Sequence, residues 1–164
     1  MSVSESVATD EQLARVLQIG VVLEELVEAR AYEHYRSLAE EADDVDGAVE
    51  ELLLEAREES GEHREYLEGL IEELDAESLP YGEIEALVRE KYGRSRPESI
   101  DAVLEDQLAS EETAYTFYDG VIAAIESGDA DFSIDRDRLL EVLRRIQVEE
   151  AQGVEEVSEV MEAR

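Results

Sequence analysis

Four long stretches of the chain place apolar residues on one side of an α-helix, and this spacing constrains the fold more than any other feature. The predicted helices cover about residues 10–42, 48–75, 97–127 and 135–162, with apolar residues recurring every three or four positions. No segment alternates with the period of a strand, and the two prolines are Pro80 and Pro97. We therefore predict an all-α fold.

The breaks between these stretches indicate how the helices are connected. DDVDG separates the first two predicted helices, and SGDADFS separates the last two, so each pair is expected to form a helical hairpin. The middle section, 76–96, is longer and contains a predicted short helix over about 83–92, and Pro97 fits the first turn of the next helix. Two hairpins joined by a long crossover predict a four-helix bundle, a single domain over 1–164.

The charge of the chain excludes some classes of partner. Its net charge is −32, from 46 acidic and 14 basic residues, and Lys91 is its one lysine. Such a surface repels nucleic acid and anionic membranes, so we expect neither as a partner. An excess of carboxylates with almost no lysine is typical of halophilic proteins, because high salt screens the repulsion. An acidic surface that binds a partner or buffers cations is the alternative interpretation.

Two further absences bear on chemistry and location. The chain has no cysteine, which excludes disulfides, thiolate metal sites and thiolate-bound iron–sulfur clusters. The longest apolar runs are too short to span a membrane, and the N-terminal segment lacks the pattern of a signal peptide. We therefore expect a cytoplasmic protein.

One short phrase, Glu-x-x-Ala-Tyr-x-x-Tyr, occurs twice, from Glu28 to Tyr35 and again from Glu111 to Tyr118. In each copy the glutamate and the second tyrosine are seven residues apart, which places them on one helical face two turns apart. That separation is too long for contact within the helix. Each phenol is instead predicted to reach a carboxylate on a neighbouring helix.

The other two long helices add polar residues to the same layer. His63, with Glu59 four residues before it, lies on the apolar face of the second helix, and Glu150 lies on that of the fourth. Together with Glu28 and Glu111 they would form a layer of oxygen donors and one imidazole, which suits divalent metals. Without a cation, like charges buried together would raise one another's pKa values and cost stability.

These motifs resemble the ferritin-like superfamily, most closely its rubrerythrin-type branch. That branch carries Glu-x-x-Ala-x-x-x-Tyr on the first helix of each hairpin and Glu-x-x-His on the second. Where the second helix should read Glu-x-x-His, this chain has Ser60 and His63. The fourth helix has Glu150 and Gly153 at the corresponding positions, or Glu149 and Gln152 in a register one residue earlier.

The resemblance implies a site for iron or manganese, holding one or two ions. Its implied ligands and their neighbours can be read from the matching positions. The ligands would be Glu28, His63, Glu111 and Glu150, with Glu59 as a substitute, and the supporting residues would be Tyr35, Tyr118 and Ser60.

The resemblance also implies a function. It would be ferroxidase or peroxide-reducing activity in iron homeostasis or oxidative-stress defence. The protein would form a homodimer and use an external electron donor, because the cysteine-bound iron of the family is absent. The alternative is a non-catalytic bundle without metal, in which the site has been lost and the role is structural or one of interaction.

Overall fold

The structure, a computed structural model, describes residues 7–25, 29–42, 46–78, 80–92 and 97–164. Within these ranges it contains six helices and no strand, so the all-α prediction is confirmed for them. None of these helices has both the length and the apolar content that crossing a membrane requires. The helices are α1 (Asp10–Leu23), α2 (Ala29–Ala42), α3 (Gly47–Glu73), α4 (Tyr81–Tyr92), α5 (Ile100–Ser127) and α6 (Arg136–Glu162).

Short polar side chains fix where four of the helices begin. The side chains of Thr9, Asp46, Ser99 and Asp135 each accept a hydrogen bond from a backbone N–H in the first turn of α1, α3, α5 and α6 respectively. The prediction that Pro97 lies in the first turn of a helix is wrong. The Ser99 hydroxyl oxygen accepts a hydrogen bond from the backbone N–H of Ala102 and caps the helix, so α5 begins at Ile100.

The first predicted helix is described as two helices. After Leu23 the chain continues through Glu24 and Glu25 in a wider, π-type turn, a feature that often occurs at functional sites. Residues 26–28, which include the predicted ligand Glu28, lie outside the described residues.

Two apolar clusters form the core of the bundle, and a polar layer lies between them. Helices α1 and α2 pack along α3, α5 pairs with α6, and α2–α5 and α3–α6 contacts join the two halves. One cluster joins α1, the second half of α3, the end of α5 and the start of α6; it includes Leu13, Leu17, Leu67, Leu70, Val121, Ile125, Leu139 and Leu143. The other joins α2, the start of α3, the start of α5 and the end of α6; it includes Ala31, Val49, Leu53, Val103, Leu104 and Val157.

The crossover packs against the end of α1, immediately before Glu24. Helix α4 begins two residues earlier than predicted and packs against α1. Ile84 and Val88 on α4 are buried against Val22 and Leu23, the residues just before Glu24. Because these apolar contacts fix the end of α1, they also fix where the Glu24 side chain enters the bundle.

Candidate metal centre

The polar layer is almost completely buried. Three carboxylates lie in it, and burying like charges together is unfavourable unless each finds a partner. The titratable side chains of the layer are Glu24, His63, Glu111 and Glu150, none more than 3% exposed, and the polar side chains that do not titrate are Ser60 and Gln107.

His63 lies at the centre of the layer, and each of its ring nitrogens faces a pair of carboxylates. Nδ1 is 3.1 Å from Oε1 of Glu150 and 3.4 Å from Oε1 of Glu24. Nε2 is 2.6 Å from Oε2 of Glu149 and 4.0 Å from Oε1 of Glu59. The inner pair is buried, whereas the outer pair is partly exposed. The imidazole therefore connects the interior of the bundle to its surface.

Hydrogen bonds from two other helices orient Glu24. The Tyr118 hydroxyl on α5 donates to Oε1 of Glu24 at 2.7 Å. The Ser60 hydroxyl on α3 lies 3.0 Å from Oε2 and 2.5 Å from the backbone oxygen of Glu24, and its one proton can be donated to either. Ser60 therefore contacts a carboxylate that comes from the turn after α1.

The Glu111 carboxylate packs directly against α6 at Gly153, where there is no side chain. The Gln107 amide donates to Oε1 of Glu111 at 2.9 Å, while Oε2 accepts no hydrogen bond from the described residues. A Cβ atom at Gly153 would lie 2.5 Å from that Oε2, so a side chain there would force the carboxylate to shift from this position. The Glu150 carboxyl is close enough for a hydrogen bond, which requires that one of the two groups carry a proton.

Burial sets the electrostatics of this region. It raises the pKa of Glu111, and the nearby Glu24 carboxylate adds to the effect, while hydrogen bonds with Glu150 and Gln107 oppose it. Burial is also the main reason that the pKa of Glu59 rises to about 7, although His63 acts in the opposite direction. Both carboxyls therefore hold protons more tightly than exposed glutamates do.

Helix α6 corresponds to the fourth long helix predicted from the sequence, and both of its candidate glutamates approach His63. Glu150 and Gly153 face the interior, which is the first of the two registers considered from the sequence. Glu149 is offset around the helix and approaches the outer nitrogen of His63. Glu149, the glutamate of the alternative register, therefore contacts the same imidazole from the other side.

Not every predicted residue can be placed in the layer. Glu28 lies outside the described residues. The Tyr35 hydroxyl donates to the backbone oxygen of Asp46 and accepts from its backbone N–H, each at 3.0 Å, at the connection between α2 and α3. Glu59 lies at the outer side of His63, where its side chain is 37% exposed.

Two buried residues were missed by the sequence analysis, and both had a detectable signal. The apolar stripe through Leu13, Leu17 and Gly20 continues at the same spacing to Glu24, a carboxylate on an otherwise apolar face. Gln107 is offset from Glu24 by 83 residues, the offset of the repeated phrase itself. A polar residue one turn before each copy of the phrase was therefore part of the repeat.

The geometry permits a metal ion. One ligand atom each from Glu24, His63 and Glu150 lie within 4.8 Å of one another, as do one each from Glu59, His63 and Glu149. Donors that each lie about 2.0–2.4 Å from one ion can be no more than about 4.8 Å apart, so both groups meet this limit. Buried carboxylate and imidazole groups could therefore hold an ion here.

Comparison with protein-family models, with curated proteins and with solved structures finds no match for this chain. The described residues form six helices, and their buried polar residues are the candidates for a functional site. What this layer does is therefore inferred from its own residues.

Proposed function

We propose that the chain is a ferritin-like, rubrerythrin-type protein that binds one divalent iron or manganese ion at Glu24, His63 and Glu150. The observation that carries this proposal is that three potential ligands from α3, α6 and the turn after α1 converge in a fully buried layer. Two carboxylates and one imidazole form a donor set of the hard to intermediate kind that suits these ions. A cation would also offset the repulsion between the buried carboxylates.

The residues around these ligands are arranged to hold them. With Nδ1 directed at an ion, Nε2–H of His63 would donate to Glu149, the carboxylate–histidine arrangement that orients metal-binding imidazoles. Tyr118 donates to one oxygen of Glu24, and the Ser60 hydroxyl lies within hydrogen-bonding distance of the other. Glu111, next to Glu150, is available as a further oxygen donor.

The resemblance supplies the proposed reaction. Iron or manganese bound here would supply redox chemistry toward oxygen or peroxide, in iron homeostasis or defence against oxidants. The chain has no cysteine and hence no thiolate-bound iron, so the electrons would come from an external donor. The chain's own residues would bind the ion and exclude bulk water from it.

A second candidate is a non-catalytic bundle that has lost its metal. The observation that favours it is the contact between the Glu111 and Glu150 carboxyls, which a shared proton would stabilise without any cation. Since the pKa of Glu111 is raised, such a proton would be held more tightly than on an exposed carboxyl. The buried layer could then be a purely structural feature.

Metal content separates the two candidates. The protein would be purified in molar salt without a chelating tag, analysed for metals, stripped, and titrated with Mn²⁺ by calorimetry. We expect about one ion per chain, lost in a Glu24→Gln, Glu150→Gln double variant, because these carboxylates are two of the three ligands. The matched control is Glu25→Gln with Glu155→Gln, which removes the same charge from exposed positions.

The opposite result is equally clear. If the reconstituted parent binds no ion, and the Glu24→Gln, Glu150→Gln variant is as stable as the parent or more so, the metal-binding proposal is refuted. The buried carboxylates would then be an unfavourable remnant, since neutral amides replace them without loss.

A further inference from the structure

A cleft of about 270 Å³ lies between α3 and α6 beside the buried layer. Its walls are mainly acidic, and they change from exposed to buried along its depth. Glu55, Glu58, Glu62 and Glu156 are exposed, Glu59 is partly buried, and Glu111 is buried.

Exposed glutamates alone would be an ordinary solvated face in so acidic a protein. Glu111 distinguishes this cleft from such a face, because its side chain lines the cleft although only 3% of it is exposed. Its Oε2 accepts no hydrogen bond from the described residues. A buried carboxylate oxygen that no amide, alcohol or backbone N–H of the described residues reaches, at the inner end of an acidic cleft, is suited to a cation.

Gly153 connects the cleft to the ligands. It lines the cleft as well, and a side chain there would overlap the Glu111 carboxylate. Glu111 in turn is within hydrogen-bonding reach of Glu150, one of the three proposed ligands. Glu111 therefore connects the acidic cleft to Glu150, which contacts Nδ1 of His63.

We propose that this cleft is the path by which a hydrated divalent cation reaches the buried centre, and that Glu111 is the first buried carboxylate to bind it. The inference rests on the proposed function, because a path requires a site at its end. A cleft lined by one sign of charge focuses the electric field and raises the association rate of an oppositely charged ligand. Successive carboxylates would replace the waters of the ion as it moves inward.

Two variants test the path by different means. The first replaces four cleft glutamates by glutamine, and its control makes the same replacement at four exposed glutamates elsewhere, so the net charge is equal. The cleft positions are Glu55, Glu58, Glu62 and Glu156, and the control positions are Glu72, Glu77, Glu83 and Glu90. The second variant, Ala56→Phe, fills the cleft without changing the charge.

The measurement is the rate at which Mn²⁺ loads the stripped protein, followed by stopped-flow competition with a fluorescent chelator. Equilibrium dissociation constants and circular dichroism are recorded on the same samples. At low salt we expect the cleft variant to load at least about tenfold more slowly than the control variant, the lower end of the effect of electrostatic steering on association rates. In molar KCl this difference should shrink, whereas Ala56→Phe should remain slow, because salt screens charge but does not remove a steric block.

Two outcomes would overturn the inference, and they are distinguishable. Equal loading rates for the cleft and control variants, with Ala56→Phe as fast as the parent, would mean that ions enter elsewhere. The binding proposal would survive that result. A parent protein that binds no Mn²⁺ at equilibrium would refute the binding site and the path together.

Discussion

The close contact between Gly153 and Glu111 makes the effect of one added methyl group predictable. In Gly153→Ala the new Cβ would lie 2.5 Å from Oε2, 2.6 Å from Cδ and 2.8 Å from Oε1 of Glu111. All three distances are below van der Waals contact, and the three atoms belong to one rigid carboxylate. The Glu111 side chain must therefore rotate away from α6.

Two opposing contributions determine the size of the effect. Rotation breaks the 2.9 Å bond from Gln107 to Glu111, and losing a hydrogen bond to a charged or buried group costs about 1.5–3 kcal/mol. Replacing a glycine inside a helix by alanine contributes about 0.5–1 kcal/mol in the other direction. We therefore expect Gly153→Ala to lower the free energy of unfolding of the metal-free protein by about 0.5–2.5 kcal/mol.

Gly120 provides the matched control, because it too lies inside a helix but a Cβ there would meet nothing within 4 Å. Gly120→Ala should only raise the helix propensity and should therefore increase the free energy of unfolding by about 0.5–1 kcal/mol. Urea unfolding, followed by far-UV circular dichroism with a chelator present, measures both variants. The two alanines should change stability in opposite directions.

A double-mutant cycle sharpens the test. In a Glu111→Ala background the carboxylate is gone, so Gly153→Ala should no longer be destabilising, and the coupling between the two sites should exceed about 1 kcal/mol. If Gly153→Ala stabilises the otherwise unaltered protein as Gly120→Ala does, the described packing of Glu111 against α6 is refuted.

Three further predictions concern the electrostatics. Because burial raises the pKa of Glu111 above its ordinary 4.5, the folded metal-free protein keeps a proton that the unfolded chain releases, and stability should fall as the pH rises above about 4.5. Glu111→Gln should make urea midpoints over that range less pH-dependent. Tyr118→Phe should weaken Mn²⁺ binding, measured by calorimetry, by about 10–100-fold, whereas the exposed Tyr115→Phe should not. Thermal scans should show stability increasing from low salt to molar KCl, because the net charge is −32; no increase would contradict the halophilic interpretation.

The helices were predictable because their signals are local. Apolar spacing marks each long helix, and side chains such as Asp46 and Asp135 cap their own first turns. His63 and Glu150 could be assigned to the interior for the same reason, since each interrupts an otherwise apolar stripe. Local periodicity therefore accounts for both the fold class and these two site residues.

The place of Glu24 in the layer could not be predicted in the same way, and the prediction for Glu28 lies outside the described residues. The two residues are four apart, so a regular helix places both on one face, and the repeated phrase points to the second. The role of Glu24 depends on hydrogen bonds from Ser60 and Tyr118, which are 36 and 94 residues away in the chain. Contacts of that kind exist only once the helices have packed.

The proposal of one metal ion rather than two draws on two departures from the Glu-x-x-His pattern that the resemblance led us to expect. Ser60 and His63 on α3 occupy the same spacing as Glu150 and Gly153 on α6, so each helix has one of the two donors of a Glu-x-x-His pair. The positions without a donor have other uses, because Ser60 holds Glu24 and Gly153 makes room for Glu111. Two metal ions normally require terminal ligands of their own as well as bridging carboxylates. If the layer binds metal as proposed, its one imidazole among the described residues, whose second nitrogen faces Glu149, suits a single buried ion.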